Sequence, residues 1–401
     1  MAALTKKIGI VSHILPPSPS GQAMVLYRLL NELPSDRYCL MSRENYNERD
    51  EDIHGFQRLS ARHYHLRPVF QLPVLNESIL FAFTICLNAL PGIYSRANQI
   101  KKIIQQEECQ LLIACTGDFY DLPAAYLASK WTAIPLIAYL FDDYAYQWLG
   151  FKRLIARRLE PIILQHAKAV IVPNEHMQKE YKRRYGVHSN VIHNPCPLPG
   201  LDELDKAGRL FSRGEINIVY TGAVYHAHYD ALRNLVAAIQ LTGRSDIKLH
   251  IYTDQPESVL ERNGIVGNMV VYHPHIKQSE VPVVLRQADI LFLPLAFDSP
   301  IPEVIKTSAP GKTGEYLSVG RPILVHAPQG SFISWYFKEN NCGVVVDNNE
   351  PELLFITLKK LIDNKEFQEQ LNKNARKAAE KDFSIDKMKS KFMEVLEFSK
   401  K

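Results

Sequence analysis

Between Pro310 and Leu324 the chain reads PGKTGEYLSVGRPIL, a glycine turn opening into a short amphipathic segment with one lysine and one glutamate. Gly320 ends that segment, and Pro322 leads into an apolar run. A helix that starts at a glycine turn leaves backbone N–H groups unpaired at the positive end of its dipole, which suits a bound phosphate. Lys312 adds a full positive charge at the mouth. Glu315, about one turn in, is placed to accept hydrogen bonds from a hydroxylated ligand such as ribose. The combination suggests a nucleoside-diphosphate site. Gly311-Lys312-Thr313 matches the end of a P-loop, but position 306 is Lys where that loop needs its earlier glycine. A plain αβ unit with a solvated Lys312 and Glu315 is the other reading.

Three His-x-His pairs, His63/His65, His226/His228 and His273/His275, invite a metal reading. Two histidines at that spacing share a face of a strand, yet no third carboxylate or thiol accompanies any pair, so no metal site is expected. Six cysteines show no CxxC pairing and lie mostly in apolar runs. Reduced thiols in a cytoplasmic compartment are the expectation. Lys6-Lys7 passes directly into a strand-like run, so no signal peptide is expected.

The 401 residues suit two ordinary domains, and 46% apolar with 22% charged residues fits a globular protein. A formal net charge of +4 does not suggest a nucleic-acid binder. Residues 1–195 hold 22 Lys and Arg against 17 Asp and Glu, a net of +5, and the remainder holds 25 against 26, a net of −1. Lys152, Arg153, Arg157 and Arg158 lie beside Trp148, Leu149, Phe151, Leu154 and Ile155, with Lys182-Arg183-Arg184 further on. Such a basic amphipathic surface suits either an anionic membrane face or plain solvent. Ile79 to Tyr94 is apolar but interrupted by Asn88 and Pro91, too short to span a bilayer, and is expected as a core helix.

Short apolar runs recur at Ile8–Ser12, Tyr38–Met41, Leu111–Cys115, Pro135–Leu140, Ala169–Pro173 and Asn190–His193. A second set follows at Ile216–Tyr220, Lys248–Tyr252, Met269–Tyr272, Ile290–Pro294, Pro322–His326 and Gly343–Val346. Runs of this kind read as parallel strands buried on both faces, with helical patterns such as Met24–Leu33 and Asp230–Leu241 completing βαβ units. The expected organisation is a Rossmann-like domain at 1–195, a Pro/Gly-rich linker at 196–211 and a second Rossmann-like domain at 212–383. Ile385, Met388, Phe392 and Val395 recur at helical spacing, so 384–401 should be a helix crossing back to the first domain. Ligands of such folds lie beyond the carboxyl ends of the strands, by default in the cleft between two domains.

The early loop Pro16-Pro17-Ser18-Pro19-Ser20-Gly21, the pattern Ile218-Val219-Tyr220-Thr221-Gly222 and the run Lys312-Thr313-Gly314-Glu315-Tyr316-Leu317 resemble the GT-B glycosyltransferases. The likeness is to the retaining family four, which uses nucleotide-sugar donors. It covers nearly the whole chain, most strongly residues 216–346. It implies a two-domain transferase moving a sugar, with retention of configuration, to a glycan, lipid-linked or small-molecule acceptor in polysaccharide or glycoconjugate biosynthesis. A UDP-sugar is the first expectation for the donor, with no cofactor and no catalytic metal. The enzyme would be cytoplasmic, with peripheral membrane contact through its basic first domain. The rival readings are a GT-B nucleotide-sugar epimerase and a degenerate transferase kept as a binding module.

Position by position, the resemblance makes Glu315 the ribose ligand and Ser308 and Gly311 part of the diphosphate turn. Gly222 and Gly21 become glycines at which the backbone meets the donor, and Ile276 a contact to the base. Thr307 stands where the family has its first glutamate, near the donor sugar, and Glu303 is the candidate substitute. Beyond Gly222 the family often supplies an Arg and a Lys; here Ala223 to Tyr229 holds neither. Lys312 is therefore expected to stabilise the leaving diphosphate, alongside one of the histidines. Phe141 occupies the place of a family histidine, which leaves Asp142 for a sugar hydroxyl, unless Asp142 and Asp143 only cap the following helix. The acceptor residues are not identified.

Overall fold

The computed structural model describes residues 6–46, 58–69 and 78–398. The chain divides into two units, Met1–His193 with Asp386–Lys401, and Asn194–Ile385.

In the first unit, β1 (Ile8–Val11), β2 (Tyr38–Ser42), β3 (Arg62–His65), β4 (Leu111–Cys115), β5 (Leu136–Tyr139), β6 (Ala169–Val172) and β7 (Asn190–Val191) form one parallel sheet. Its order is β3-β2-β1-β4-β5-β6-β7. Its helices are α1 (Gly21–Leu30), α2 (Ser78–Gln106), α3 (Asp121–Thr132), α4 (Gly150–His166) and α5 (Glu175–Tyr185). The crossover after β1 runs one way along the sheet and those after β3 run the other. Right-handed crossovers therefore place α1 on one face and α2 to α5 on the opposite face. The buried clusters agree: Ile93, Ala97, Ala125, Ala156 and Tyr181 share one, and Leu26, Leu29 and Ile171 share the other.

The segment expected as a core helix, Ile79 to Tyr94, lies within α2, which continues through Pro91 to Gln106. Among its described side chains, Ile93, Ala97, Ile100 and Ile104 join the core, whereas Leu87, Leu90 and Tyr94 are exposed. Buried Arg96 donates to Asp121 at 3.2 Å and ties α2 to α3.

In the second unit, α6 (Leu201–Asp205) forms within the stretch expected to be a plain linker. The sheet contains β8 (Ile216–Thr221), β9 (Ile247–Tyr252), β10 (Val270–His273), β11 (Ile290–Pro294), β12 (Ile323–His326) and β13 (Val344–Val346). All pairs are parallel, in the order β10-β9-β8-β11-β12-β13. Around it lie α7 (Tyr229–Leu241), α8 (Glu257–Arg262), α9 (Val281–Gln287), α10 (Pro302–Thr307), α11 (Lys312–Ser318), α12 (Phe332–Glu339), α13 (Pro351–Asp363) and α14 (Lys365–Ala378). The strand order reverses between β8 and β11, and a crevice at the carboxyl ends there is where such sheets take ligands. The last helix, α15 (Ile385–Phe398), returns to the first unit, where Met388, Phe392, Val395 and Leu396 join the cluster containing α1.

Candidate functional site

The carboxyl end of β8 delivers Tyr220, Thr221 and Gly222, and α11 follows β11 across the point of strand-order reversal. Gly222 has φ +111°, a conformation open to glycine, and a Cβ there would lie 3.2 Å from Lys312 Nζ. The missing side chain is what lets the lysine lie against the strand end. The Lys312 ammonium stands 3.7 Å from the centre of the Tyr220 ring, a cation–π contact that replaces part of its lost water. Burial pushes the Lys312 pKa down from 10.5 to about 7, with Glu315 acting in the opposite direction. A poorly solvated ammonium with one ring beneath it is suited to an incoming polyanion.

Glu315 lies one turn into α11, and its Oε1 accepts from Gln278 Nε2 at 3.0 Å. Next to it, the Tyr316 hydroxyl accepts from the Thr221 backbone N–H at 2.9 Å, pinning α11 to the end of β8. Gly314 packs the other side of α11 against the linker, since a Cβ there would meet Cys196 Sγ at 2.9 Å. The loop before α11 is held by Asn194 Nδ2, which donates to the Ala309 carbonyl at 2.9 Å. Ser308 and Gly311 are both half-buried on either side of that anchored turn, and Ile276 is half-buried against the same cluster as Leu317 and Ile305.

The structure thus gathers Gly222, Lys312 and Glu315 around one strand end and adds Tyr220, Tyr316 and Gln278. Tyr220 and Tyr316 lay inside quoted motifs without a role. Gln278 carried no sequence signal, because its function depends on a loop meeting α11 from 37 residues away.

Thr307 ends α10 with 1% of its surface exposed, and its hydroxyl donates to the Glu303 carbonyl at 3.2 Å. That hydroxyl is engaged within its own helix. The histidines also separate. His226 is exposed, whereas His228 is buried, and burial followed by the charge of Lys312 holds its pKa well below the ordinary range. In the free chain His228 is therefore a neutral imidazole beside Lys312, and His226 faces solvent. Among the described residues no group of three or more His, Cys, Asp or Glu is arranged for a metal ion.

In the first unit, Gly21 opens α1 with no atom near its missing Cβ, and Ser20 caps the helix by accepting from Ala23 N at 3.2 Å. Beyond β5, the Phe141 backbone N–H donates to Thr116 Oγ1 at 2.8 Å. The two aspartates that follow have different roles. Asp143 is buried, accepts from Tyr146 N at 3.2 Å and pairs with Arg184 at 2.6 Å, a structural assignment. Burial, then the Asp143 charge, push Asp142 up to about 6, yet its side chain is exposed. Water at that exposure favours the carboxylate, so we take Asp142 as ionised near neutral pH and open to a ligand.

Two family profiles match in sequence: Glycosyltransferase Family 4 over residues 19–198 and Glycosyl transferases group 1 over residues 215–364. The chain is a glycosyltransferase of GT-B fold, resembling family four. No curated protein matches it in sequence. A glycosyltransferase from Rickettsia africae shares the fold at 14% identity and a TM-score of 0.67, covering 99% of both chains. Anabaena HepE, solved in complex with UDP-glucose, gives 12% identity and a TM-score of 0.69, covering 98% of this chain and 99% of that one. Sucrose-phosphate synthase from Thermosynechococcus elongatus gives 15% and 0.69, covering 98% of each.

Proposed function

We propose that this GT-B glycosyltransferase transfers a sugar from a UDP-sugar to a hydroxyl acceptor with retention of configuration. Lys312 carries the reading: a half-buried ammonium aimed past Gly222 at the end of β8, with Glu315 one turn behind it. In this assignment the diphosphate lies against Lys312 and the turn from Ser308 to Gly311. Glu315 accepts from the ribose hydroxyls, and Ile276 faces the base. A fold neighbour solved with UDP-glucose supports uracil as the base.

The bond from the anomeric carbon to the β-phosphate oxygen breaks, its electron pair going to that oxygen beside Lys312. The acceptor oxygen attacks from the same face, and its proton passes to the departing phosphate. Glu315, the carboxylate of the cluster, is assigned to the ribose, and Asp142 to a sugar hydroxyl, which favours this front-face path. Asp142 and Gly21 are assigned to the donor-sugar side, and the acceptor is a glycan, lipid-linked or small molecule of polysaccharide or glycoconjugate synthesis.

The test is a thermal-shift screen against UDP, GDP, TDP and ADP. A ligand that binds the native state alone at a hundred times its Kd stabilises it by about 2.7 kcal/mol. UDP should give the largest shift. No response to any nucleoside diphosphate would refute the donor assignment.

A further inference from the structure

The layer of α2, α3 and α4 carries an outer face that the transferase reading leaves unused. On α2, Leu90 is 68% exposed and Tyr94, one turn on, 59%. The Tyr94 ring meets that of Trp131 on α3, centroids 5.3 Å apart, and Trp131 is itself 39% exposed. On α4, Phe151, Leu154, Arg158 and Ile162 recur at intervals of three and four residues, and all are exposed. That spacing places them along one stripe, and it is apolar apart from the arginine. Ser129 meets His166 at 3.2 Å and Tyr126 packs on the same imidazole at 5.0 Å, so α3 and the end of α4 adjoin. The exposed apolar residues thus belong to one continuous layer.

Charge decides what this face fits. The three helices contain eight Lys and Arg residues and two carboxylates, Asp121 and Glu160, both fully buried. Lys102, Lys130, Lys152, Arg157 and Arg158 are exposed, and the layer shows solvent no carboxylate in these helices. A two-fold dimer through this face would set basic residues against basic residues, which counts against a second copy. No helix among the described residues is long and apolar enough to cross a bilayer. Exposed Leu, Ile, Tyr and Trp among lysines and arginines instead match a surface that enters the interfacial region and pairs with anionic headgroups.

We infer that the α2–α3–α4 face is a docking surface for an anionic lipid membrane, with Leu90, Tyr94, Trp131 and Ile162 entering the interface and Arg157 and Arg158 pairing with headgroups. It rests on residues separate from the donor cluster, so vesicle binding and nucleotide binding succeed or fail independently.

The experiment is flotation of the full chain with vesicles of phosphatidylcholine containing phosphatidylglycerol, and with phosphatidylcholine alone. The chain should bind the first and not the second, and rising salt should weaken it. Arg157→Glu with Arg158→Glu should weaken binding on the order of a hundredfold, since each basic residue near such a surface contributes severalfold. Leu90→Ser with Ile162→Ser should weaken it about tenfold or more, and neither pair should alter the thermal response to UDP. Independently of any folding effect, acyl chains carrying bromine should quench Trp131, with Trp131→Phe as the blank. Absence of binding to the anionic vesicles, binding that both double variants retain, or an unquenched Trp131 would each overturn the proposal. So would a dimer that Leu90→Ser with Ile162→Ser dissolves while vesicles go unbound, because the face would then join two copies.

Discussion

Donor binding should take up a proton at Lys312. In the free chain burial holds this ammonium at about 7, down from 10.5. A diphosphate beside it would restore the charged form, because an opposite charge within about 4–6 Å favours ionisation. Below pH 7 the lysine is protonated free and bound, and affinity should be flat. As pH rises above 7 the free lysine loses its proton and the complex must recover it, so affinity should fall. The limit is about tenfold per pH unit until the pKa of the complex is reached. Because Lys312 is half-buried, water offsets part of the depression, which moves the onset of the fall to higher pH and leaves its limiting slope unchanged. Calorimetric titration with UDP near pH 8, in buffers of different ionisation enthalpy, should report an uptake approaching one proton. Lys312→Met should abolish that uptake and flatten the pH dependence. Equal proton uptake by both proteins, or constant affinity from about pH 7 to 9, would refute the placement of Lys312 against the diphosphate.

Three further outcomes are expected. Glu315→Ala should weaken UDP binding by about 1.5–3 kcal/mol, ten- to a hundredfold, with folding barely changed, as read by calorimetry and thermal melting. Gly222→Ala should lose about 1–3 kcal/mol of stability to the positive φ and displace Lys312, lowering both the denaturation midpoint and UDP affinity. Acid should destabilise the chain through His250, a buried residue whose Nδ1 is 2.9 Å from His273 Nε2, because burial first, then His273, hold it down at about 4. Between the ordinary 6.5 and that value the unfolded chain binds the proton first, so stability present above 6.5 drains away as pH falls, by about 2–3 kcal/mol. Denaturant titrations across that window should show a flatter profile for His250→Gln.

The apolar strands were legible because burial on both faces leaves an uninterrupted hydrophobic run; their order in each sheet, and with it the switch point, is set by tertiary pairing. β3 was not legible, since its sequence RHYH carries no apolar pattern. It forms because Glu107 accepts from Lys7 at 2.6 Å, from Arg62 at 3.1 Å and from the Tyr64 hydroxyl, a polar compensation supplied from distant positions. The cluster was legible as far as single motifs reached: Lys312 and Glu315 could be named from local spacing, and Gly222 from the family resemblance. The ring under Lys312 and the amide on Glu315 arise from tertiary placement. Thr307 could be assigned a family position by counting, but only its place at the end of α10 shows where its hydroxyl is used. The breadth of the exposed α2–α4 face was likewise hidden, because exposure depends on which side of each helix the sheet covers.

Release of UDP from UDP-glucose and related UDP-sugars, followed for the wild-type chain, Lys312→Ala and Glu315→Ala, tests the central claim most directly. The wild-type chain should release UDP above the blank. Lys312→Ala should cut kcat by on the order of a hundredfold or more with a smaller change in KM, since its charge matters most as the leaving oxygen becomes negative. Glu315→Ala should act chiefly on KM. A Lys312→Ala chain that turns over a UDP-sugar at the full wild-type rate would contradict the account.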